Sequence, residues 1–173
     1  MKIIKKVVVT YRRIKWSPEK YARFQGVKIG ENCLISTKKF SSEAYLIEIG
    51  DYCRIAKDVS FFTHGGLWSQ RKKHQGLDYF GKIKIGNYTY VGEGAFIMPG
   101  VTIGNDVIIG AGSIVTKSIP DGKIAAGNPA RIVGETKDFV EKIKQYNVGS
   151  KGMNYEEKKK YLLSLTEDCF IKK

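Results

Sequence analysis

The stretch FFTHGGLWSQRKKHQG, residues 61–76, holds both histidines of the chain, His64 and His74. Imidazole is the side chain best matched to moving protons near neutral pH, since in model peptides it titrates at about 6.5. Around the two histidines stand Trp68 and the cationic run Arg71, Lys72 and Lys73, with Tyr79 shortly after. Trp68 and Tyr79 suit stacking on a sugar ring, and the cations suit a carboxylate, a phosphate or a nucleotide diphosphate. The same composition also describes a solvated lid. A metal is a poor match. Two histidines fall short of the three that a carbonic-anhydrase-type zinc needs. Cys33, Cys53 and Cys169 include no Cys-x-x-Cys pair and form no disulfide framework.

What must position these residues is a repeat. From Ile85 the chain divides into sixes, IGNYTY, VGEGAF, IMPGVT, IGNDVI, IGAGSI and VTKSIP, with Ile85, Val91, Ile97, Ile103, Ile109 and Val115 leading them. A helix repeats its apolar face at about 3.6 residues and a simple strand at 2, so neither yields a period of six. A short strand followed by a tight turn does. Three such units close one triangular coil, and stacked coils bury an apolar column that no single coil could bury. The phase begins earlier, at Ile29 and Ile35, slips by two before Ile49, and resumes through Ile55 and Phe61. From Ile49 to Ile85 there are six sixes, so residues 67–84 replace a coil as an inserted loop. Cys33 and Cys53 fall at the fifth position of a six, with Thr89, Ala95, Val101 and Ser113, which predicts a small inward slot.

Flanking segments read as caps. SPEKYARFQG predicts a short helix with Ser17 as N-cap, Pro18 in the first turn and Gly26 past its end. TKDFVEKIKQY sets Phe139, Val140 and Ile143 on one helical face, and Asn154 with Glu157 forms a capping-box pattern ahead of Leu162 and Leu165. The expected organisation is a basic arm and cap over 1–28, the solenoid over 29–134 and a helical segment over 135–173. The net charge of +13 is concentrated in the arm, where nine Lys and Arg face one acid. That arm suits an anionic membrane surface or a phosphorylated ligand, and equally a solvated face. No RNP, zinc-finger or helix-turn-helix signature is present, which argues against a nucleic-acid partner. No apolar run reaches the roughly 20 residues of a membrane span or forms a signal-peptide core, so the expected location is the cytoplasm, at most at the inner membrane surface.

The run PGVTIGNDVIIGAGSIVTKSIPDGKIAAGNPARIV, residues 99–133, resembles the closing signature of the hexapeptide-repeat acyltransferases, whose fold is a left-handed parallel β-helix. GVKIGENCLI, YLIEIG and FFTHGGLW are similar to members that modify bacterial capsule and lipopolysaccharide sugars. The resemblance implies homotrimers, acetyl-CoA in a cleft between neighbouring subunits, a histidine as general base and no metal. His64, fourth in its six and so at an outward corner, is the residue that fits that base. A sugar hydroxyl is too weakly acidic to attack a thioester unaided, and general-base help is worth about 10²–10⁴ in rate. An oxyanion donor is expected from backbone N–H near the Gly92–Glu93 turn. Thr116, Lys117 and Arg131 match positions near the nucleotide end of CoA, and Ala111 and Gly112 match positions along its pantetheine arm. The family often reads His-Asp where this chain has His64-Gly65, so the group that orients the imidazole is not named by the sequence.

The expected function is therefore acetyl-CoA-dependent O-acetylation of a sugar hydroxyl in surface-polysaccharide synthesis, with Trp68, Arg71, His74 and Tyr79 as acceptor contacts. The sequence leaves open an N-acetyltransferase acting on a nucleotide-linked amino sugar, acetylation of an antibiotic, and a non-catalytic solenoid that binds an anionic partner.

Overall fold

A computed structural model describes residues 2–172, with side chains from residue 9 onward. Two compact units are present, Met1–Thr136 and Lys137–Lys173. The first opens with α1 (Lys2–Lys15) and α2 (Pro18–Phe24) and continues as short strands. These are β1 (Lys28–Ile29), β2 (Leu34–Ile35), β3 (Ile47–Ile49), β4 (Arg54–Ile55), β5 (Ser60–Phe61), β6 (Ile83–Ile85), β7 (Tyr90–Val91) and β8 (Phe96–Ile97). β9 (Thr102–Ile103), β10 (Ile108–Ile109), β11 (Ile114–Val115), β12 (Lys123–Gly127) and β13 (Ala130–Glu135) complete it.

Each six becomes one side of a coil. Successive strands enter three sheets in rotation: β1-β3-β6-β9, then β2-β4-β7-β10-β12-β13, then β5-β8-β11. Pairing is parallel and three sixes apart, with Lys84 opposite Thr102, Tyr90 opposite Ile108 and Phe96 opposite Ile114. The two interruptions appear in the register. Lys28 pairs with Glu48 and Leu34 with Arg54, two residues beyond three sixes, while Ile47 pairs with Ile83 across the inserted loop. The antiparallel β12–β13 hairpin ends the second sheet.

The aliphatic leaders Ile85, Val91, Ile97, Ile103, Ile109 and Val115 are all buried in one column. Fifth-position side chains stack beside them and satisfy carbonyls of the next coil: Cys53 Sγ donates to Gly86 O at 3.0 Å and Thr89 Oγ1 to Gly104 O at 2.8 Å. Burial pushes the Cys53 thiol up to about 11. Iodoacetamide at pH 8 should therefore leave Cys53 unmodified in the folded protein and label it after unfolding, as peptide mapping would read.

A second ladder runs along the turn between the first and second sheets. Asp51, Asn87, Asn105 and Asp121 each accept, through Oδ1, the backbone N–H of the preceding coil's turn, at 2.7, 2.8, 2.8 and 2.9 Å. Those bonds hold the Asp121 carboxyl below its usual range, the Asn105 backbone N–H first and its side chain second. The coils close so tightly here that a Cβ on Gly86 would lie 2.6 Å from the Gly104 carbonyl carbon. Asn87→Ala strips one backbone N–H of its partner and should cost about 1 kcal/mol in urea unfolding.

α2 forms as its sequence predicts, with the Ser17 side chain accepting from Lys20 N–H and Gly26 at a positive φ of 99°. α1 is an addition to the sequence reading, which treats residues 1–28 as a basic arm and cap with one short helix. The Arg12 guanidinium lies over the rings of Trp16 and Phe24, at 4.9 and 4.3 Å, and fastens α1 to α2. α3 (Thr136–Lys144) leads into the second unit and carries Phe139 and Val140, both exposed. α4 (Tyr155–Leu163) opens on the Asn154–Glu157 capping box.

Candidate active site

His64 stands where the chain leaves β5 and turns towards the first sheet, a corner that the inserted loop also uses to depart and return. Gly81 N–H donates to Thr63 O at 2.8 Å, closing the loop at its base. The Gly81 position is packed against Pro99 and Gly100 of the next coil, so nothing larger fits. Thr63 is fully buried, whereas the His64 side chain remains 39% exposed.

The orienting group is Glu43. Its Oε2 lies 2.6 Å from His64 Nδ1 and accepts a hydrogen bond from Thr63 Oγ1 at 2.8 Å. Glu43 belongs to the two-residue slip before β3, one coil ahead of His64 on the same corner. Burial alone would raise its carboxyl, but hydrogen bonds from Thr63, Ser42 and His64, with the charge of His64, outweigh that and hold it below its usual value. Its stabilising share is thus present above the unfolded carboxylate range and lost only as pH falls through the lower folded value. An ionised carboxylate can only accept, so Nδ1 carries the proton, and in the neutral ring Nε2 then keeps its lone pair.

Of the inserted loop, Phe80 meets the imidazole, its ring centroid 5.6 Å away and tilted 59°. Trp68, Arg71, His74 and Tyr79 all stand exposed on that loop, Trp68 at 83%. None of the four bonds to His64 among the described residues. Phe80 and Glu43 both escape the sequence reading. A carboxylate inside a break in the repeat was the available signal for Glu43, because a break next to the His64 corner is where a non-repeating side chain can enter.

The residues matched to CoA divide between two corners. Thr116 and Lys117 follow β11 onto the corner of His64, two coils further along, about 10 Å at the usual strand spacing. Both are exposed, as is Arg131 on β13, which donates one bond to the Ala130 carbonyl. Glu93, Ala111 and Gly112 lie on the other corner of the third sheet, where Gly112 N–H donates to Glu93 O at 2.8 Å. Gly112 and Gly94 adopt positive φ, 68° and 69°, with open space beside them. A strand and its turns, about 15 Å, separate this corner from His64 in one chain. No three His, Cys, Asp or Glu side chains converge as metal ligands among the described residues. No described helix is long and apolar enough to cross a membrane.

Residues 82–117 match the family model described as bacterial transferase hexapeptide (six repeats). Protein CapG of Staphylococcus aureus is 41% identical over 165 residues, covering 93% of this chain and 95% of its own length. Galactoside O-acetyltransferase of Escherichia coli strain K12 is 35% identical over 138 residues, 79% of this chain and 68% of that one. Among solved structures, a galactoside acetyltransferase in complex with coenzyme A superposes with a TM-score of 0.58 at 29% identity, covering 80% of this chain and 82% of the other.

Proposed function

Since this chain belongs to the hexapeptide-repeat acyltransferases, we propose that it carries the acetyl group of acetyl-CoA to a sugar hydroxyl in surface-polysaccharide synthesis, with His64 as the general base. It is an acyltransferase, and acetyl-CoA is its cosubstrate. The observation that carries the finer reading is the 2.6 Å pair between His64 Nδ1 and Glu43, which leaves Nε2 as a proton acceptor at an open corner.

His64 Nε2 takes the hydroxyl proton as the new C–O bond forms to the acetyl carbon. The C–S bond then breaks, and the imidazolium returns that proton to the departing sulfur. Glu43 holds the ring in one tautomer and offsets its positive charge between the two steps. The exposed cations Lys117 and Arg131, with Thr116, suit the phosphates of the nucleotide end. Ala111 and Gly112 expose backbone that suits close approach of the pantetheine arm. Trp68, Arg71, His74 and Tyr79 serve the acceptor side from the inserted loop.

The oxyanion donor at the Gly92–Glu93 turn requires a second copy. In one chain that turn is about 15 Å from His64, so a homotrimer of left-handed helices, with the turn of one copy beside His64 of the next, completes the site. In this reading the chain is organised as a basic arm and cap over 1–28, the solenoid over 29–134 and a helical segment over 135–173. The enzyme works in the cytoplasm, its basic N-terminal segment turned to the anionic inner membrane surface. Calorimetric titration with acetyl-CoA, followed by acetyl-transfer assays on matched hydroxy and amino sugars, tests the reading. Saturable binding near one site per chain with transfer to the hydroxyl supports it; transfer to the amine alone sinks the O-acetyl assignment, and no binding sinks the enzyme assignment.

A further inference from the structure

A cationic recess lies at the N-terminal end of the first unit. Arg13 of α1 and Lys38, Lys39 and Lys57 of the first coils line a cavity of about 560 Å3, and Asp58 is the one carboxylate among its lining residues. That volume is within the range of small-molecule sites, about 300–1,000 Å3. Lys38 Nζ donates to the Arg13 carbonyl at 2.7 Å, and Lys39 Nζ pairs with Asp58 at 2.7 Å. The Arg13 guanidinium and the Lys57 ammonium hold no hydrogen bond or ion pair among the described residues. The Asp58 carboxyl is lowered by Lys39 first, with Lys57 joining it, so the Arg13 guanidinium is the charge left unpaired on this concave surface among the described residues.

The recess continues towards the active site. Arg13, Lys38 and Lys39 also line an adjoining cavity of about 400 Å3 whose wall includes Gln25, Ser41 and Phe62. Ser41 Oγ donates to Glu43 Oε2 at 3.4 Å, the same oxygen that meets His64 Nδ1. Gln25 Oε1 is buried without a hydrogen-bond partner, an acceptor that a ligand hydroxyl would satisfy. Position along the coil axis is decisive. Lys117 lies two coils beyond His64, whereas Glu43, Lys38 and Lys39 lie one coil before it, and Lys57 lies in its own coil on the Glu93 corner, where Gly94 N–H donates to Lys57 O at 3.0 Å. Along the coil axis the recess cations therefore stand before the base or level with it, away from Lys117, where room is left for the other substrate.

We infer that the recess of Arg13, Lys38, Lys39 and Lys57 holds an anionic group of the acceptor, a sugar carboxylate or phosphate, and selects acidic or nucleotide-linked sugars over neutral ones. The inference rests on the reading of His64 as the transfer site. A bidentate arginine and flanking lysines give such a group both charge and geometry.

The test is calorimetric binding of methyl β-D-glucuronide, UDP-glucose and methyl β-D-glucoside to the full chain and to Arg13→Gln/Lys57→Gln. Neither substituted side chain bonds within the fold, so the variant should fold normally, as its circular dichroism would verify. At least one anionic sugar should bind tenfold or more tightly than the glucoside, and the variant should level them. Tight binding of only the glucuronide or only UDP-glucose identifies carboxylate or phosphate as the recognised group. Equal binding of all three, no binding of any, or a preference that survives in the variant overturns the inference. CoA titration of the same two proteins is read separately: its failure in the unsubstituted chain removes the acetyltransfer reading and leaves the sugar result to stand or fall alone.

Discussion

His64→Ala lowers kcat for acetyl transfer by about 10²–10⁴-fold and leaves acetyl-CoA affinity within about twofold. The imidazole stands at a corner, 39% exposed, with one hydrogen bond to Glu43 and a tilted ring contact to Phe80, outside the buried column. On the proposed mechanism, truncation removes the group that accepts the hydroxyl proton and returns it to sulfur, and both steps then fall to water. Stopped-time assays with coenzyme A release as the readout, beside calorimetry with acetyl-CoA, separate chemistry from binding. An unchanged kcat in a folded variant would end the assignment of His64 as base.

Glu43→Gln lowers kcat by roughly 10²-fold, less than loss of the imidazole itself, with the KM for acetyl-CoA unmoved. Glutamine keeps an oxygen that Thr63 Oγ1 can donate to, so the buried threonine stays satisfied and the coil keeps its shape. What disappears is the charge facing Nδ1. The retained oxygen faces both Thr63 Oγ1 and Nδ1 and still accepts from Nδ1–H, so the tautomer is kept and the loss is that of the charge offsetting an imidazolium. Glu43→Asp, shorter but charged, should recover part of the rate. A drop confined to kcat with partial rescue marks a positioning residue; an equal loss in the two variants, with falling thermal stability, would mark a structural one.

The period of six was legible because every sixth side chain is buried in one column, and burial fixes residue type. The same logic reached the fifth-position slot, where Cys53, Thr89 and Ser113 are buried as expected, and the cap of α2. Glu43 was out of reach for the complementary reason. It lies in the slip between Ile35 and Ile49, where no period says which residues share a corner. Its neighbour on that corner is set by the Lys39–Ser60 bridge, which only the folded register reveals. The helix at Lys2–Lys15 was masked by its own charge: Ile3, Val7, Tyr11 and Ile14 recur at helical spacing, but lysines and arginines between them read as a solvated run. Separation of the Glu93 corner from His64 was readable in principle, since one follows a second-sheet leader and the other a third-sheet leader.

The two breaks in the repeat also bear on how the chain finds a single structure. Identical units can shift against one another by a whole coil and lose little more than the end contacts, so a perfect repeat is nearly degenerate in register. Here the two-residue slip before β3 fits only between β1–β2 and the next coil, and the loop after His64 has only one corner from which to leave. A shift by one coil would bury charged loop residues and bring aliphatic leaders into the turn. The irregular segments thus act as index marks, and alternative stackings that satisfy the sixes are excluded by the parts of the chain that break them.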